Sequence, residues 1–120
     1  MLINAGVTHP HALWLERLRE GGRLVLPLTS AMPPSPELGR GVMMKITRRG
    51  TSFSAQMVTY VGIYSCTSVR DADMNVLVGK AFASGGLAKV QSLRRDPHEK
   101  EESCLVHGAE VCFNSKEVAN

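Results

Sequence analysis

An apolar segment, Leu2-Ile3-Asn4-Ala5-Gly6, is followed by an amphipathic stretch, a Gly21-Gly22 pair and a second apolar segment at residues 24–28. Strand, loop, helix, double glycine, strand is the order of a right-handed crossover between parallel strands, and such units belong in sheets covered on both faces. A parallel strand so near the first residue needs a neighbour on each side, and the sequence that follows offers few segments to fill those places. The chain therefore reads as α/β: the second half of a parallel sheet whose earlier strands would lie upstream of Met1, leaving residues 2–6 as an exposed edge open to self-association.

Thr8 or His9 can cap the first helix, with Pro10 near its first position, where a lost N–H costs nothing. His11, Trp14, Leu15 and Leu18 make its inner stripe and the glycine pair ends it. Leu24-Val25-Leu26 suits a strand buried on both faces, with Pro27 marking where it leaves the sheet. Residues 30–41, with Met32-Pro33-Pro34-Ser35-Pro36, read as a loop because proline cannot donate to a ladder. The period then switches to two. Residues 42–49 and 53–65 alternate, with Arg49-Gly50-Thr51-Ser52 as the turn, and predict an antiparallel hairpin. Asp71 or Asp73 starts a last helix whose stripe is Met74, Leu77, Val78, Ala81 and Phe82, and Gly85-Gly86 ends it. Residues 88–93 and 104–113 have short strand-like patterns, residues 96–102 are a charged loop, and residues 114–120 read as a frayed tail after a domain of residues 1–113.

Length and composition narrow the function classes. The 120 residues suffice for one domain, and 43% apolar content supports a core packed mainly by aliphatic side chains, since aromatics are 5%. The net charge of +3 is uneven: residues 1–60 carry seven Lys/Arg against three Asp/Glu, and residues 61–120 seven against eight. Lys45, Arg48 and Arg49 form a small basic patch, more often a solvated hairpin end than a phosphate groove. A nucleic-acid partner is thus disfavoured, and a non-enzymatic binding module using the hairpin end at 45–49 is the alternative reading. No run reaches the ~20 apolar residues that span a bilayer. Without a signal-peptide pattern, and with three irregularly spaced cysteines, the expectation is a reduced, cytoplasmic protein with no membrane partner.

The string Asn4-Ala5-Gly6-Val7-Thr8-His9-Pro10, with Trp14-Leu15, Leu18, Gly21-Gly22-Arg23-Leu24 and Leu26-Pro27-Leu28-Thr29, resembles the C-terminal half of S-adenosylmethionine-dependent methyltransferases. The protein-L-isoaspartate O-methyltransferase group is the nearest likeness. The resemblance implies a Rossmann-like methyltransferase sheet in which residues 2–6 and 24–28 are consecutive parallel strands and the hairpin closes the sheet. It implies carboxyl methylation of a protein or peptide acceptor, with S-adenosylmethionine as the methyl donor. Cofactor-binding or acceptor-cleft lining then falls to Asn4, Ala5, Gly6, Val7, Thr8, Leu28 and Thr29, at the carboxyl ends of the strands. The family's glycine-rich loop and its ribose-binding acid have no counterpart here; Gly39-x-Gly41 precedes a strand rather than a helix. The catalytic residues would lie upstream, and the piece is expected to be inactive alone.

Spacing by itself leaves Asn4 and Thr8 equally suited to satisfying turn and cap hydrogen bonds. His9-x-His11 supplies two donors, too few for a metal site. Cys104-x-x-His107 with Cys112 resembles a zinc knuckle that lacks a fourth ligand, so the three read as strand residues and no metal-ligand set is assigned. Cys66 has no partner that would mark it as a nucleophile, and Met43, Met44 and Met57 read as core filler.

Overall fold

In the computed structural model, which describes residues 1–32, 35–65 and 70–118, the chain forms one six-stranded sheet in which every named strand pairing is antiparallel. The strands are β1 (Arg23–Met32), β2 (Ser35–Arg49), β3 (Ser52–Tyr64), β4 (Ser92–Arg94), β5 (Cys104–His107) and β6 (Cys112–Asn114), in the spatial order β1-β2-β3-β4-β6-β5. Two helices, α1 (Ala12–Glu16) and α2 (Ala72–Ser84), and a 3₁₀ turn at Gly86–Lys89 complete the described elements. The expected parallel α/β sheet is therefore wrong. An uninterrupted apolar run fixes burial but not strand direction, and the second apolar run pairs antiparallel with the first strand of the expected hairpin, from Leu24 opposite Ile46 to Leu28 opposite Val42.

Residues 30–41, expected to be loop, depart from expectation as well. The strand through residues 24–28 does not leave the sheet at Pro27 but continues to Met32, and β2 begins at Ser35, so the expected loop is largely ladder among its described residues, Pro33 and Pro34 lying outside them. Pro27 is tolerated because of which edge it faces. Val25 N donates to Met1 O and Thr29 N to Val7 O, both at 2.8–2.9 Å, so the odd-numbered amides of β1 point away from β2. The N–H that Pro27 lacks belongs to that side and the β1–β2 ladder loses nothing. Gly41 lies opposite Thr29, where a Cβ would fall 1.9 Å from Leu28 O. Glycine there serves close backbone approach.

Residues 2–6 are not an interior strand. They touch β1 through isolated parallel bridges, Leu2 to Val25 and Val7 to Leu28, while Gly6 bridges to Ser65. The segment thus lies beside β1, as expected, but as isolated bridges rather than a continuous ladder. Helix α1 is a single turn and a half, capped by His11, whose Nδ1 accepts from Leu13 N at 3.1 Å, rather than by Thr8 or His9.

Other expectations hold. The hairpin is present as β2–β3, with Val42, Met44 and Ile46 fully buried beside Leu24, Leu26 and Leu28 of β1. Its alternation changes phase at Val58: Met44 faces Met57 but Val42 faces Tyr60, so a bulge moves Thr59, Val61 and Ile63 to the opposite face. Helix α2 is capped by Asp71, which accepts from Met74 N at 2.9 Å, and ends at Gly85 in the left-handed conformation with φ 79°. Met74, Val78 and Ala81 join Leu87, Val90, Leu93, Val106 and Phe113 in the same apolar core. Asn114, placed by the sequence at the start of the tail, is the last residue of β6 and fully buried. Among the described residues no helix is long and apolar enough to cross a membrane.

Candidate metal centre

Strands β5 and β6 form a short hairpin whose register carries the chemistry. Cys104 lies opposite Asn114, Val106 opposite Phe113 and His107 opposite Cys112, with an irregularity between Cys104 and Val106. In a regular strand, residues three apart project to opposite faces. Here the bulge at Leu105 absorbs the odd step, and directly opposite residues share a face, so Cys104, His107, Cys112 and Asn114 all project one way. Val106 and Phe113, both fully buried, project the other way into the core.

The loop between β4 and β5 folds over that polar face and adds a fourth donor. Arg94, at the end of β4, grips Asp96 with a fork: Nε donates to Oδ1 at 2.9 Å and Nη2 to Oδ2 at 2.5 Å. The guanidinium holds the Asp96 carboxyl down at about 2. Asp96 in turn places His98, whose Nδ1 donates to the Asp96 carbonyl at 2.8 Å. With Nδ1 engaged on the Asp96 carbonyl, the other ring nitrogen, Nε2, faces Cys104 Sγ at 3.5 Å.

His98, Cys104, His107 and Cys112 then present four donor atoms that all lie within 4.8 Å of one another. The two imidazoles pack edge to face, with centroids 4.8 Å apart. Four donors ~2.0–2.3 Å from a common ion stand roughly 3.3–3.8 Å apart at tetrahedral angles, so the set closes around a metal by a contraction of about 1 Å. Two further features fit a metal. The Nδ1 of His107 is buried with no hydrogen-bond partner among the described residues, the kind of orphan that a missing ligand explains. Cys104 Sγ accepts from Glu101 N at 3.2 Å, a bond that favours thiolate over thiol.

The two thiols differ. Burial raises Cys104, but the Glu101 amide and the His98 imidazole outweigh it and the thiol is lowered overall. Cys112, 1% exposed, is pushed up to about 12 by burial and by its hydrogen bond with Cys104. His98 is raised by the Asp96 carbonyl and by Cys104.

The residues singled out by resemblance fall on the first segment and on β1. Val7, Thr8, Leu28 and Thr29 are fully buried, Gly6 is buried against Thr29, and Asn4 is exposed. Thr8 Oγ1 accepts from Asp71 N at 3.0 Å and Thr29 Oγ1 from Arg70 Nη1 at 2.9 Å, so both hydroxyls serve to join the N-terminal segment and β1 to the start of α2. In the basic patch, Arg48 donates to Leu18 O at 2.6 Å and Gly50 O at 3.0 Å, tying the segment that follows α1 to the hairpin end. His9 and His11 do not converge: His9 Nδ1 bonds Thr8 Oγ1 while His11 caps α1. Met44 is core, and Cys66 lies outside the described residues.

His98 is the residue that sequence reasoning missed. Its neighbours Asp96, Glu99, Lys100, Glu101 and Glu102 make the segment look like solvated loop, and the donor order His-Cys-His-Cys with gaps of five, two and four matches no paired Cys-x-x-Cys signature. The available signal was density: four soft or borderline donors within one short span. No protein-family model, curated protein or solved structure matches this chain. What fold and site define together is a small antiparallel β protein with a Cys2His2 donor set.

Proposed function

We propose that this chain is a metal-binding β protein in which His98, Cys104, His107 and Cys112 hold Zn²⁺ as a closed, structural centre. The observation that carries the reading is the convergence of two thiols and two imidazoles from a loop and two strands, with His107 Nδ1 otherwise unpartnered. Two sulfurs and two imidazole nitrogens at tetrahedral spacing suit Zn²⁺, and four protein ligands leave no open position for substrate, which separates a structural from a catalytic site.

The surrounding fold gives the ion something to do. Strand β4 joins β3 through only the pairs Phe53–Leu93 and Ser54–Ser92, and β5 and β6 are four and three residues long. Strands so short are marginal without further support. A metal tying His98 to both strands closes the loop between β4 and β5 and shares its binding free energy with folding. The methyltransferase reading draws its cleft from a parallel sheet, which this chain does not form; the donor set is the better-supported chemistry.

The test is metal content and spectrum. Protein purified from zinc-supplemented culture and dialysed against metal-free buffer is expected to retain one zinc per chain by plasma mass spectrometry. Co²⁺ in its place is expected to give visible ligand-field bands of tetrahedral type and thiolate charge-transfer bands. Zinc-free protein whose Co²⁺ spectrum lacks thiolate bands would overturn the reading.

A further inference from the structure

The outer edge of β3 is closed at both ends and open between them. Ala55 N donates to Gln91 O at 3.1 Å and Tyr64 O accepts from Gly6 N at 2.8 Å. Between these points, on the side away from β2, residues 56–63 have no strand partner among the described residues. The window is exposed on both faces at its centre: Val58 is 57% and Tyr60 64% accessible, and Thr59 between them is exposed as well. Its unpaired N–H and C=O groups and its Met, Val, Tyr and Ile side chains form a template for another extended strand.

Proteins usually blunt such edges with lysine, proline, a bulge or a cover. From Gly50 to Val69 the sequence contains no charged residue, no histidine and no proline. The bulge at Val58 is the one protective device present within the window.

We propose that residues 56–63 of β3 pair with the same residues of a second copy of this chain, antiparallel across a two-fold axis. The charge pattern selects this occupant. An acidic or basic peptide finds no countercharge along the window, whereas the window set against itself opposes no like charges at any register. Antiparallel self-pairing also matches the two strand lengths and is the isologous arrangement that closes at two copies. Val, Tyr and Thr supply the β-branched and aromatic cross-strand pairs that stabilise such ladders. One strand edge is small beside the ~800 Å² per partner of a standard interface, so the dimer is reversible and concentration dependent. This pairing is independent of the metal centre.

The test uses the full, zinc-loaded chain in sedimentation velocity from low micromolar to millimolar concentration, with amide hydrogen exchange at both extremes. The expected result is a monomer–dimer equilibrium in which amides of residues 56–63 gain protection as concentration rises. Val58→Lys with Thr59→Lys, both at exposed positions, is expected to weaken dimerisation about tenfold or more by opposing like charges, with zinc content unchanged. A monomer at every concentration overturns the proposal, as does a dimer that the two lysines leave intact. If the lysine variant fails to fold, exchange in the unmodified chain decides: a window whose protection is independent of concentration overturns it too.

Discussion

Replacing His98 by alanine removes one donor with little other damage. The side chain lies outside the apolar core, its ring is 10% accessible, and the β5–β6 ladder and the Arg94–Asp96 fork do not depend on it. Structural zinc binding in small domains is worth ~10–16 kcal/mol, so one ligand of four carries about 2.5–4 kcal/mol, or roughly 10²- to 10³-fold in affinity. At free zinc a hundredfold above the dissociation constant, the metal adds ~2.7 kcal/mol to stability. For a chain of this size that corresponds to a melting shift of about 10 °C. His98→Ala should therefore bind Co²⁺ roughly 10²- to 10³-fold more weakly in chelator competition and lose most of the zinc-induced shift in Tm. His98→Cys, which restores a tetrahedral soft donor, should recover the visible Co²⁺ bands. An alanine variant that binds Co²⁺ as tightly as the parent would refute the four-donor geometry.

Gly41→Ala drives a Cβ into Leu28 O and should cost more than about 4 kcal/mol or prevent folding, as read by urea denaturation. Asp71→Ala removes the acceptor of the Met74 amide and should lower unfolding free energy by about 1 kcal/mol in the same measurement. In metal-free protein at about pH 8, iodoacetamide should modify Cys104 ahead of Cys112, as read by peptide mass spectrometry. The sign follows from the two shifts: a lowered thiol has a growing thiolate fraction at that pH, while one pushed up to about 12 stays protonated and inert. Loading with zinc should protect both.

Local features were legible where one residue type had one physical reading. Asp71 and Gly85 bracket α2 because a carboxylate satisfies orphan amides and glycine alone turns left-handed without penalty. Residues 42–49 and 53–57 showed their faces because a half-buried strand must alternate. The errors came where composition admitted two geometries. Residues 24–28 read as a parallel strand because burial on both faces is common to parallel sheets and to the centre of a folded antiparallel one. The proline-rich residues 32–36 read as loop, although the strands on either side run on into a ladder. The phase change at Val58 and the bulge at Leu105 are tertiary choices with no local marker. The second of these brings Cys104 and His107 to one face, so the donor set could not emerge from strand periodicity.

Pro27 has an effect beyond its own strand. On the free side of β1 the register runs from Leu2 opposite Val25 to Val7 opposite Leu28, so five steps along the first segment answer to three along β1. The surplus falls where proline offers no hydrogen to bond, and it carries Gly6 outward until its amide reaches Tyr64 O. One imino acid thereby turns what would be a sixth ladder into a clasp, fastening the outermost member of the meander to the far end of its third. Deleting the first seven residues would release two distant parts of the molecule at once.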